Sequence, residues 1–397
     1  MSYFQLHNIP YNKNLDEFIN FETSDSKFSE PVINKTLVSY LSNIKTEIDN
    51  RQDEWDFYKK YINPYEYIHT QISNTKASVC KIKPLSRSYF KMIEMYGIFN
   101  LVYDLPTNCK TFHLAEGPGG FIEALTHLRN NLKDVYIGMT LIDNDINVPG
   151  WKKSNAFLEK HKNVFIEKGI DQTGNLLSLN NLKYCYKTYK GSMDLITADG
   201  GFDFSVDFNS QETVSANLIL CQIIYAIAMQ KKGGTFIIKF FDIFTNVSLE
   251  MIYLLSNLYE EVYFIKPNTS RYANSEKYIV CKNFKLNDTS KIIEKIFTVF
   301  HKICNNNNIV KILSVEIPYL FSNKIEELNA IYGQQQLDSI SNTLNLININ
   351  NTDKIENIKK NNIQKCISWC QKYNLPFNKN NLSNNLSNNL SNNLSNN

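Results

Sequence analysis

The strongest constraint on the fold is a regular alternation of strand-like and helix-like segments between residues 80 and 285. Short apolar runs of strand length lie at residues 111–115, 135–141, 163–166, 194–198, 235–240, 262–265 and 278–281. Helix-length segments at 120–128, 213–230 and 248–258 separate several of them. This alternation predicts a doubly wound α/β sheet. The gap between Ile265 and Tyr278 has no room for a crossover helix, so the last strand is predicted to be antiparallel to its neighbour.

The segments on either side of this region are predicted to be helical extensions. Residues 1–79 are polar and aromatic with helix-like patches at 34–48 and 53–61, and we expect a packing or recognition extension there. Residues 286–375 are also predicted to be helical and either pack on the sheet or serve partners. From residue 376 the chain becomes an Asn-Leu-Ser-Asn repeat that cannot bury a core and is predicted to be disordered.

Charge and composition limit the class of protein. The formal charge of the 397 residues is only +3, so any nucleic-acid binding must come from a local patch. The longest apolar run, residues 218–229, is too short for a membrane span and is predicted to be a buried helix, so no membrane association is expected. The eight cysteines are scattered and follow a polar amino-terminal segment, which favours reduced thiols in an intracellular protein.

A glycine-rich turn, Ala-Glu-Gly-Pro-Gly-Gly-Phe at residues 115–121, follows one predicted strand and opens a predicted helix. Glycines in such a turn let the backbone approach a ligand closely. A dinucleotide site would favour G-x-G-x-x-G against a pyrophosphate, whereas the acidic Glu116 disfavours a phosphate and suits a cationic or hydroxyl-bearing ligand. S-adenosylmethionine, with an ammonium, a sulfonium and no phosphate, fits this description. A tight turn without a ligand is the alternative.

Four ionisable residues are predicted to lie near this turn. Asp199 comes just past a strand and Lys239 ends the next one, and ligands of open α/β sheets bind at these carboxyl ends. Glu276 opens the last strand, and Lys91 lies on a helix that precedes the first. Each taken alone is also consistent with a surface lysine or an exposed edge acid.

Two lysines beside two carboxylates make a plausible site for activating a hydroxyl group. Neighbouring cations lower a lysine pKa from its reference value of about 10.4, whereas the acids raise it. A neutral amine could then take the proton of a ribose hydroxyl as the oxygen attacks a methyl group in line. Arg87, which precedes Lys91, either binds phosphates or belongs to a solvated basic face.

These residues resemble a known family. Lys91, Asp199, Lys239 and Glu276 resemble the K-D-K-E tetrad of FtsJ-like (RrmJ-type) RNA 2′-O-ribose methyltransferases, and the glycine turn resembles their cofactor motif. Two longer strings, at residues 239–245 and 266–278, resemble the mRNA cap-specific branch of eukaryotes and large DNA viruses. The resemblance covers residues 80–284 and implies a Rossmann-like fold, S-adenosyl-L-methionine as methyl donor, capped mRNA as acceptor and no metal.

The resemblance also implies roles for individual residues. Lys239 would be the base on the 2′-hydroxyl, oriented by Asp199 and Glu276, with Lys91 completing the site. The methionine end of the cofactor would be lined by Glu116, Gly117, Pro118, Gly119, Gly120 and Phe121. Asn175 would lie near the adenosine, where the family usually has an acid. Contacts with RNA are predicted for Arg87, Asn209, Ser270, Arg271 and Asn274.

Several alternatives stay open at this point. A ribosomal or transfer RNA ribose methyltransferase of the same fold is the rival enzyme, and a catalytically silent RNA-binding scaffold is the rival of another class. Motif details resemble enzymes of both the first and the second transcribed nucleotide, and no residue is chosen for the cap guanine. Other capping enzymes or RNA polymerase are candidate partners, and no DNA is expected.

The Asn-rich composition and the string at 203–209 favour a large cytoplasmic DNA virus as the source of the sequence. A viral protein would be located in the viral factory or the virion, and a cellular one in the cytoplasm or the nucleus.

Overall fold

The computed structural model describes residues 3–25, 29–72, 75, 77–143, 145, 148–201, 209–304 and 308–378. The predictions for the repeat tail beyond residue 378 and for residues 203–208 lie outside the described residues.

The described residues form ten strands and fourteen helices. The strands are β1 (Tyr3–Gln5), β2 (Ile19–Ser24), β3 (Lys110–Leu114), β4 (Val135–Met139), β5 (Val164–Glu167), β6 (Met193–Ala198), β7 (Gln230–Phe240), β8 (Tyr259–Ile265), β9 (Lys277–Phe284) and β10 (Asn308–Leu313). The helices are α1 (Leu15–Phe18), α2 (Lys35–Asp49), α3 (Gln52–Ile62), α4 (Ser88–Ile98), α5 (Leu101–Asp104), α6 (Gly120–Arg129), α7 (Asn155–Lys160), α8 (Leu179–Tyr189), α9 (Gln211–Met229), α10 (Asn246–Leu258), α11 (Ser290–Val299), α12 (His301–Cys304), α13 (Tyr319–Ile349) and α14 (Thr352–Lys372).

The large sheet has the order β1-β8-β9-β7-β6-β3-β4-β5. Strands β7, β6, β3, β4 and β5 run parallel to one another, as expected where helices form the crossovers. The predicted α/β sheet is therefore confirmed. Strand order reverses between β3 and β6, because β4 and β5 extend to one side of β3 and the later strands to the other. Such a switch point opens a crevice at the carboxyl ends of the strands.

Strand β9 is antiparallel to both β7 and β8, which confirms the prediction for the last strand. In the pairing with β7, Lys239 lies opposite Tyr278 and Phe240 opposite Lys277. The beginning of β9 thus meets the carboxyl end of β7. This reversal brings the residue before β9, Glu276, to the edge of the sheet where the parallel strands end.

The flanking segments contain the predicted helices and also strands that sequence patterns missed. Strand β1 pairs with β8 at the edge of the large sheet, and β2 of the amino-terminal segment pairs with β10 of the carboxyl-terminal segment. The description of both flanks as purely helical is therefore incomplete. A three-residue edge strand such as β1 is too short to show a period of two, and its place in the sheet depends on its partner.

The hydrophobic core joins the flanks to the sheet. One continuous cluster contains Leu6 and Phe21 from the amino-terminal segment, Phe236 from β7 and Ile312 from β10. A second cluster on the other face joins α4 and α6 to α14, for example through Trp369. Both flanks therefore share buried apolar surface with the sheet, and the division at residues 80 and 286 stays a prediction.

Helix α9 lies inside this core. Among the described residues it alone is long and apolar enough to cross a membrane by composition, and 78% of its most apolar window is buried in the fold. The prediction of a buried helix at 218–229 is confirmed, because a helix that is apolar on every side needs protein neighbours all round.

Candidate active site

The four ionisable residues predicted to form a site converge at the carboxyl edge of the sheet as two ion pairs. Lys239 pairs with Asp199 and Lys91 pairs with Glu276, although the partners of the second pair are 185 positions apart in the chain. The predicted positions of these residues on helices and strands are confirmed as well. Lys91 lies on α4, Asp199 directly follows β6, and Lys239 is the penultimate residue of β7.

The Lys239–Asp199 pair is held at the switch point. The Lys239 ammonium donates to the Asp199 backbone carbonyl at 2.8 Å and lies 3.3 Å from the carboxylate Oδ1. The Asp199 backbone N–H donates to Leu114 O at 3.2 Å, which ties the end of β6 to the end of β3. Both side chains keep some exposure, 13% for Lys239 and 17% for Asp199. The ammonium is therefore fixed on two oxygens and still reachable from the crevice.

The Lys91–Glu276 pair is more deeply buried. Lys91 Nζ donates to Glu276 Oε1 at 2.5 Å, and the hydroxyl of Ser270 donates to the same oxygen at 2.8 Å. Burial by itself would raise the pKa of Glu276, but the charges of Lys91 and Lys239 override it and hold that pKa well below its ordinary range. Glu276 is therefore a stable carboxylate at neutral pH.

Tyr278 links the two ion pairs, and sequence reasoning missed it. Its hydroxyl donates to Asp199 Oδ1 at 2.9 Å and accepts from Lys91 Nζ at 3.4 Å, with the side chain fully buried. The signal was present, because Tyr278 is two residues after Glu276 at the start of a strand, and such residues share one face of the sheet. The four charged groups and this hydroxyl thus form one connected network.

The loop between β8 and β9, residues 266–276, is anchored from inside. The Lys266 ammonium donates to Asn274 O at 2.6 Å, Asn274 Oδ1 at 3.0 Å and Glu276 O at 2.7 Å. Burial lowers the pKa of Lys266 to about 7. On the other side of the loop, the carboxylate of Glu94 accepts from Asn268 Nδ2 at 2.8 Å. These contacts fix the path of the chain into Glu276.

The glycine turn is held by hydrogen bonds to the carboxylate of Glu116, which belongs to the turn itself. Glu116 Oε1 accepts from the backbone N–H groups of Phe121 and Ile122, at 2.5 and 3.3 Å, and so caps the first turn of α6. Gly119 has φ +109°, where a side chain would be strained. A Cβ on Gly120 would lie 2.3 Å from two serine hydroxyls. Gly119 is therefore favoured by its backbone conformation, and Gly120 by the small space that the two serine side chains leave.

One predicted cofactor residue is placed differently from the expectation. The side chain of Phe121 is fully buried beneath the turn, with its ring 6.0 Å from that of Tyr278. It supports the network from below and presents no side-chain surface to the crevice, because a phenyl ring gains more from burial than from exposure at the turn.

Asn175 lies in a turn that meets the end of β4. The Thr173 carbonyl in this turn accepts from the Ile142 backbone N–H at 2.7 Å, and a Cβ on Gly174 would lie 2.0 Å from Thr140 O. The side-chain carbonyl of Asn175 accepts from Leu177 N at 2.9 Å. The turn thus borders the carboxyl edge of the sheet, and the Oδ1 of Asn175 accepts a hydrogen bond within the turn. The contact of Asn175 with the adenosine stays a prediction.

Comparison with known proteins decides the family. The family of FtsJ-like methyltransferases matches residues 84–284, about half of the chain and the whole region that carries the site. The chain belongs to the FtsJ-like methyltransferase family. The resemblance that the sequence motifs suggested is confirmed, and so is the Rossmann-like fold class. Methyl transfer is the chemistry of this family.

Curated relatives of this FtsJ-like chain share a further name. This chain is 28% identical over 324 residues to the cap-specific mRNA (nucleoside-2′-O-)-methyltransferase 2 of Drosophila melanogaster. The match covers 77% of this chain and 45% of the relative. It is 30% identical over 265 residues to methyltransferase 1 of Mus musculus, covering 62% and 31%. The corresponding enzyme 1 of Trypanosoma brucei is 27% identical over 307 residues, covering 75% and 80%. The chain spans less than half the length of the first two.

The residues predicted to contact RNA differ in their exposure and in their hydrogen-bond partners in this FtsJ-like site. Ser270 is 1% exposed and donates to Glu276, so it orients the carboxylate instead of facing solvent. Arg271 forms a two-pronged ion pair with the buried Glu66, at 3.0 and 2.6 Å. Asn274 accepts from Lys266 through its Oδ1. The reason in each case is a charged partner, which lies in the same loop for Ser270 and Asn274 and in a distant segment for Arg271. Sequence patterns do not reveal such pairings.

Arg87 and Asn209 keep more exposure. Arg87 is the N-cap residue of α4, and its carbonyl accepts from the Phe90 backbone N–H at 3.2 Å. Its side chain is exposed, and its guanidinium forms no ion pair or hydrogen bond with any described residue. Asn209 is exposed two residues before α9. The position of Arg87, four residues before Lys91, places an available cation beside the network of an FtsJ-like methyltransferase.

Proposed function

We propose that this chain is a cap-dependent mRNA (nucleoside-2′-O-)-methyltransferase that uses S-adenosyl-L-methionine. The observation that carries the proposal is the network of Lys91, Asp199, Lys239 and Glu276 at the carboxyl edge of the sheet, beside the turn at 115–121. The names of its relatives support the choice of acceptor.

The residues at the switch point fit a cationic cofactor. Burial raises the pKa of Glu116 well above its ordinary value, and the nearby charge of Asp199 adds to this effect. A cation between these two acids would favour their ionised forms. The turn at 116–120 follows β3 and the turn around Asn175 meets the end of β4, so both lie at the same edge of the sheet as these acids. When bound, S-adenosylmethionine supplies an electrophilic methyl group on a sulfonium.

Lys239 has the position of a general base. Its ammonium lies on the Asp199 backbone carbonyl and near Asp199 Oδ1, and both contacts aim the nitrogen at the crevice edge. In its neutral form Lys239 would accept the 2′-hydroxyl proton while the hydroxyl oxygen forms its bond to the methyl carbon. The bond between that carbon and the cofactor sulfur would break at the same time, and the sulfonium would leave as a neutral thioether. Lys91 and Glu276 hold the acceptor side in place through fixed charges, and alignment of the reactants supplies much of the rate enhancement.

The deciding experiment measures methyl transfer from labelled S-adenosylmethionine to short RNAs with a methylated cap, an unmethylated cap or a bare triphosphate. We expect transfer only to capped RNA. Nuclease mapping of the product locates the methyl group on the first or the second transcribed nucleotide. Transfer that ignores the cap would replace the proposal with a structured-RNA methyltransferase. Cofactor binding without transfer to any of the RNAs would favour a silent scaffold.

A further inference from the structure

Helix α4 carries a buried carboxylate besides Lys91. Glu94 lies three residues after Lys91 on this helix, so the two side chains project from the same face. Glu94 is 0% exposed and belongs to neither of the two ion pairs of the active site. A carboxylate is rarely buried to this extent without a cation, because its ionised form is costly to remove from water. The contacts of Glu94 show what its burial achieves.

The carboxylate of Glu94 holds the first half of the loop at residues 266–276 through neutral donors. Its Oε1 accepts from Asn268 Nδ2 at 2.8 Å, and its Oε2 accepts from Thr269 N at 3.3 Å and from Thr269 Oγ1 at 3.4 Å. Asn268 is fixed on its other side as well, because its Oδ1 accepts from the hydroxyl of Tyr272 at 3.0 Å. The ionised form of Glu94 suits this arrangement, since it accepts all three bonds and donates none.

These contacts continue to the catalytic network. Thr269 is followed directly by Ser270, whose hydroxyl donates to Glu276 Oε1 at 2.8 Å. The same oxygen accepts from Lys91 Nζ at 2.5 Å. Helix α4 therefore holds the loop twice. Lys91 binds Glu276 at the end of the loop, and Glu94 binds the neighbour of the serine that orients Glu276.

Both flanks enclose Glu94. Burial raises the pKa of Tyr65, in the amino-terminal flank, and of Tyr373, directly after α14, and the nearby charge of Glu94 adds to both effects. The pKa of Tyr272, in the loop, is raised for the same two reasons. The ring of Tyr373 lies against α4, because a Cβ on Gly97 would lie 2.8 Å from it. The groups that face Glu94 from these three segments are therefore neutral hydroxyls near pH 7.

The surroundings of Glu94 make its charge costly. Burial raises the pKa of Glu94 to about 7, although the hydrogen bonds from Asn268 and Thr269 oppose this effect. Replacing a buried charge with a neutral group of the same shape is often neutral for stability. Activity and stability can thus respond differently to the loss of this charge, which separates a task in catalysis from a purely structural one.

We propose that Glu94 is a positioning residue, which orients Glu276 in the catalytic network through Thr269 and Ser270. The inference rests on the proposed function and adds a residue that the sequence motifs did not indicate. The flanks take part indirectly, because Tyr65 and Tyr373 enclose the carboxylate that holds the loop.

The test compares the same substitution at two buried carboxylates. Glu250 of α10 is 2% exposed and accepts from the backbone N–H groups of Ile312 and Leu313 and from Asn246 Nδ2, so it joins α10 to β10 away from the site. Burial raises its pKa as well. The variants Glu94→Gln and Glu250→Gln form a matched pair. Methyl transfer to capped RNA, cofactor affinity and thermal melting are measured for both.

We expect Glu94→Gln to lower kcat by about tenfold at pH 8, because the amide presents an N–H group to a donor of the loop. Its cofactor affinity should match that of the wild type, and Glu250→Gln should keep the wild-type kcat. The ratio of wild-type to Glu94→Gln kcat should fall to about twofold at pH 6, where only about a tenth of Glu94 is ionised. Wild-type kcat of Glu94→Gln at pH 8, or equal kcat losses in the two variants, would overturn the inference.

Hydrogen exchange of the loop gives a readout that does not need activity. Peptides that cover residues 266–276 should exchange faster in Glu94→Gln and at the wild-type rate in Glu250→Gln. A wild type that transfers no methyl group to any RNA would reject the proposed function. Hydrogen exchange would then decide the inference by itself, and an unchanged rate in Glu94→Gln would reject it.

A second variant carries the test if Glu94→Gln melts far below Glu250→Gln. Asn268→Ala removes the donor to Glu94 Oε1 from the side of the loop, where Asn268 is only partly buried. We expect a loss in kcat of about threefold, as for one hydrogen bond. Wild-type kcat and wild-type hydrogen exchange of the loop in Asn268→Ala would contradict the proposal.

Discussion

At the scale of single residues, the chemistry depends on where each charge is held. Lys239 is fixed by two oxygens of one residue and keeps 13% exposure, whereas Lys91 is buried against Glu276. The two lysines therefore have different tasks. A lysine reachable from the crevice can exchange a proton with substrate, and a buried, paired one mainly fixes charge and geometry.

Replacing Lys239 with alanine should abolish methyl transfer and leave cofactor binding nearly intact. A missing general base lowers kcat by about a hundredfold to ten-thousandfold. Turnover and the cofactor dissociation constant, measured on the same preparation, check this. Lys231→Ala is the matched control, because Lys231 is on the same strand at the opposite edge. Weak cofactor binding together with lost activity would indicate a structural role instead.

Tyr278→Phe should lower kcat by about tenfold, because a hydrogen bond to a charged group contributes about 1.5–3 kcal/mol. Its hydroxyl connects Asp199 with Lys91, so its loss leaves Asp199 Oδ1 with only the Lys239 ammonium as a partner in the network. The KM for cofactor should stay the same. Steady-state kinetics measures the change in kcat, and thermal melting separates it from any loss of stability.

The control for this hydroxyl is Tyr259→Phe. Tyr259 is also fully buried in the sheet, and its hydroxyl donates to Gln230 at 3.3 Å, away from the network. That variant should lose about 1 kcal/mol of stability and no activity. Equal kcat values for both variants would rule out a positioning role for Tyr278.

At the scale of elements, buried carboxylates connect the segments that carry the site. Glu212 in the first turn of α9 accepts from the backbone N–H groups of Phe244 and Thr245, at 2.9 and 2.8 Å, and so joins α9 to the start of α10. The segment held in this way begins shortly after the end of β7, the strand that carries Lys239. The carboxylate of Glu66 likewise accepts from Arg271 and so connects its own segment to the loop at residues 266–276.

Glu212→Gln should flatten the pH dependence of stability. Burial raises the pKa of Glu212 from 4.5 to about 7. The folded state then keeps this proton to a higher pH than the unfolded chain, so the free energy of unfolding falls as pH rises between these two values. The amide keeps an acceptor oxygen and removes the titration. Denaturant unfolding at several pH values between 5 and 8 measures the slope.

Glu66→Gln is the control for this slope. Burial opposes ionisation of Glu66, but the Arg271 guanidinium lowers its pKa from 4.5 to about 2. Its ion pair therefore stabilises the fold above pH 4.5 and is lost as pH falls through about 2. Between pH 5 and 8 Glu66→Gln should shift stability by a constant amount. An unchanged slope in Glu212→Gln would show that Glu212 does not titrate in this range.

At the scale of the whole molecule, the flanks and the methyltransferase sheet share one interior. Phe21 and Ile312, from opposite ends of the chain, lie in the same cluster as the sheet residue Phe236. The cavity beside the loop at residues 271–274 also needs both flanks, because α2 and α3 form one wall and α13 another. Stability is therefore expected to depend on the complete arrangement.

Phe21→Ala should destabilise the entire chain by about 3–5 kcal/mol, the usual cost of removing a buried phenyl ring. Phe21 is 1% exposed. If the flanks fold with the sheet, fluorescence and circular dichroism will report one coincident transition at lower denaturant. Phe57→Ala, at a side chain that is 53% exposed, should change stability by about 0.5 kcal/mol or less. Two separate transitions would instead indicate that the flanks form independent domains.

The sequence by itself determined seven of the eight strands of the large sheet, the glycine turn and the four charged residues, because strand and helix periods and turn chemistry are local properties. Tertiary structure decided what these residues touch. The Lys91–Glu276 contact depends on β9 running antiparallel beside β7. The bridge through Tyr278, the burial of Phe121 and the cavity beside the loop depend on the same packing. Strand order and the docking of the flanks are set by burial of apolar surface across the whole chain, and no local pattern encodes them.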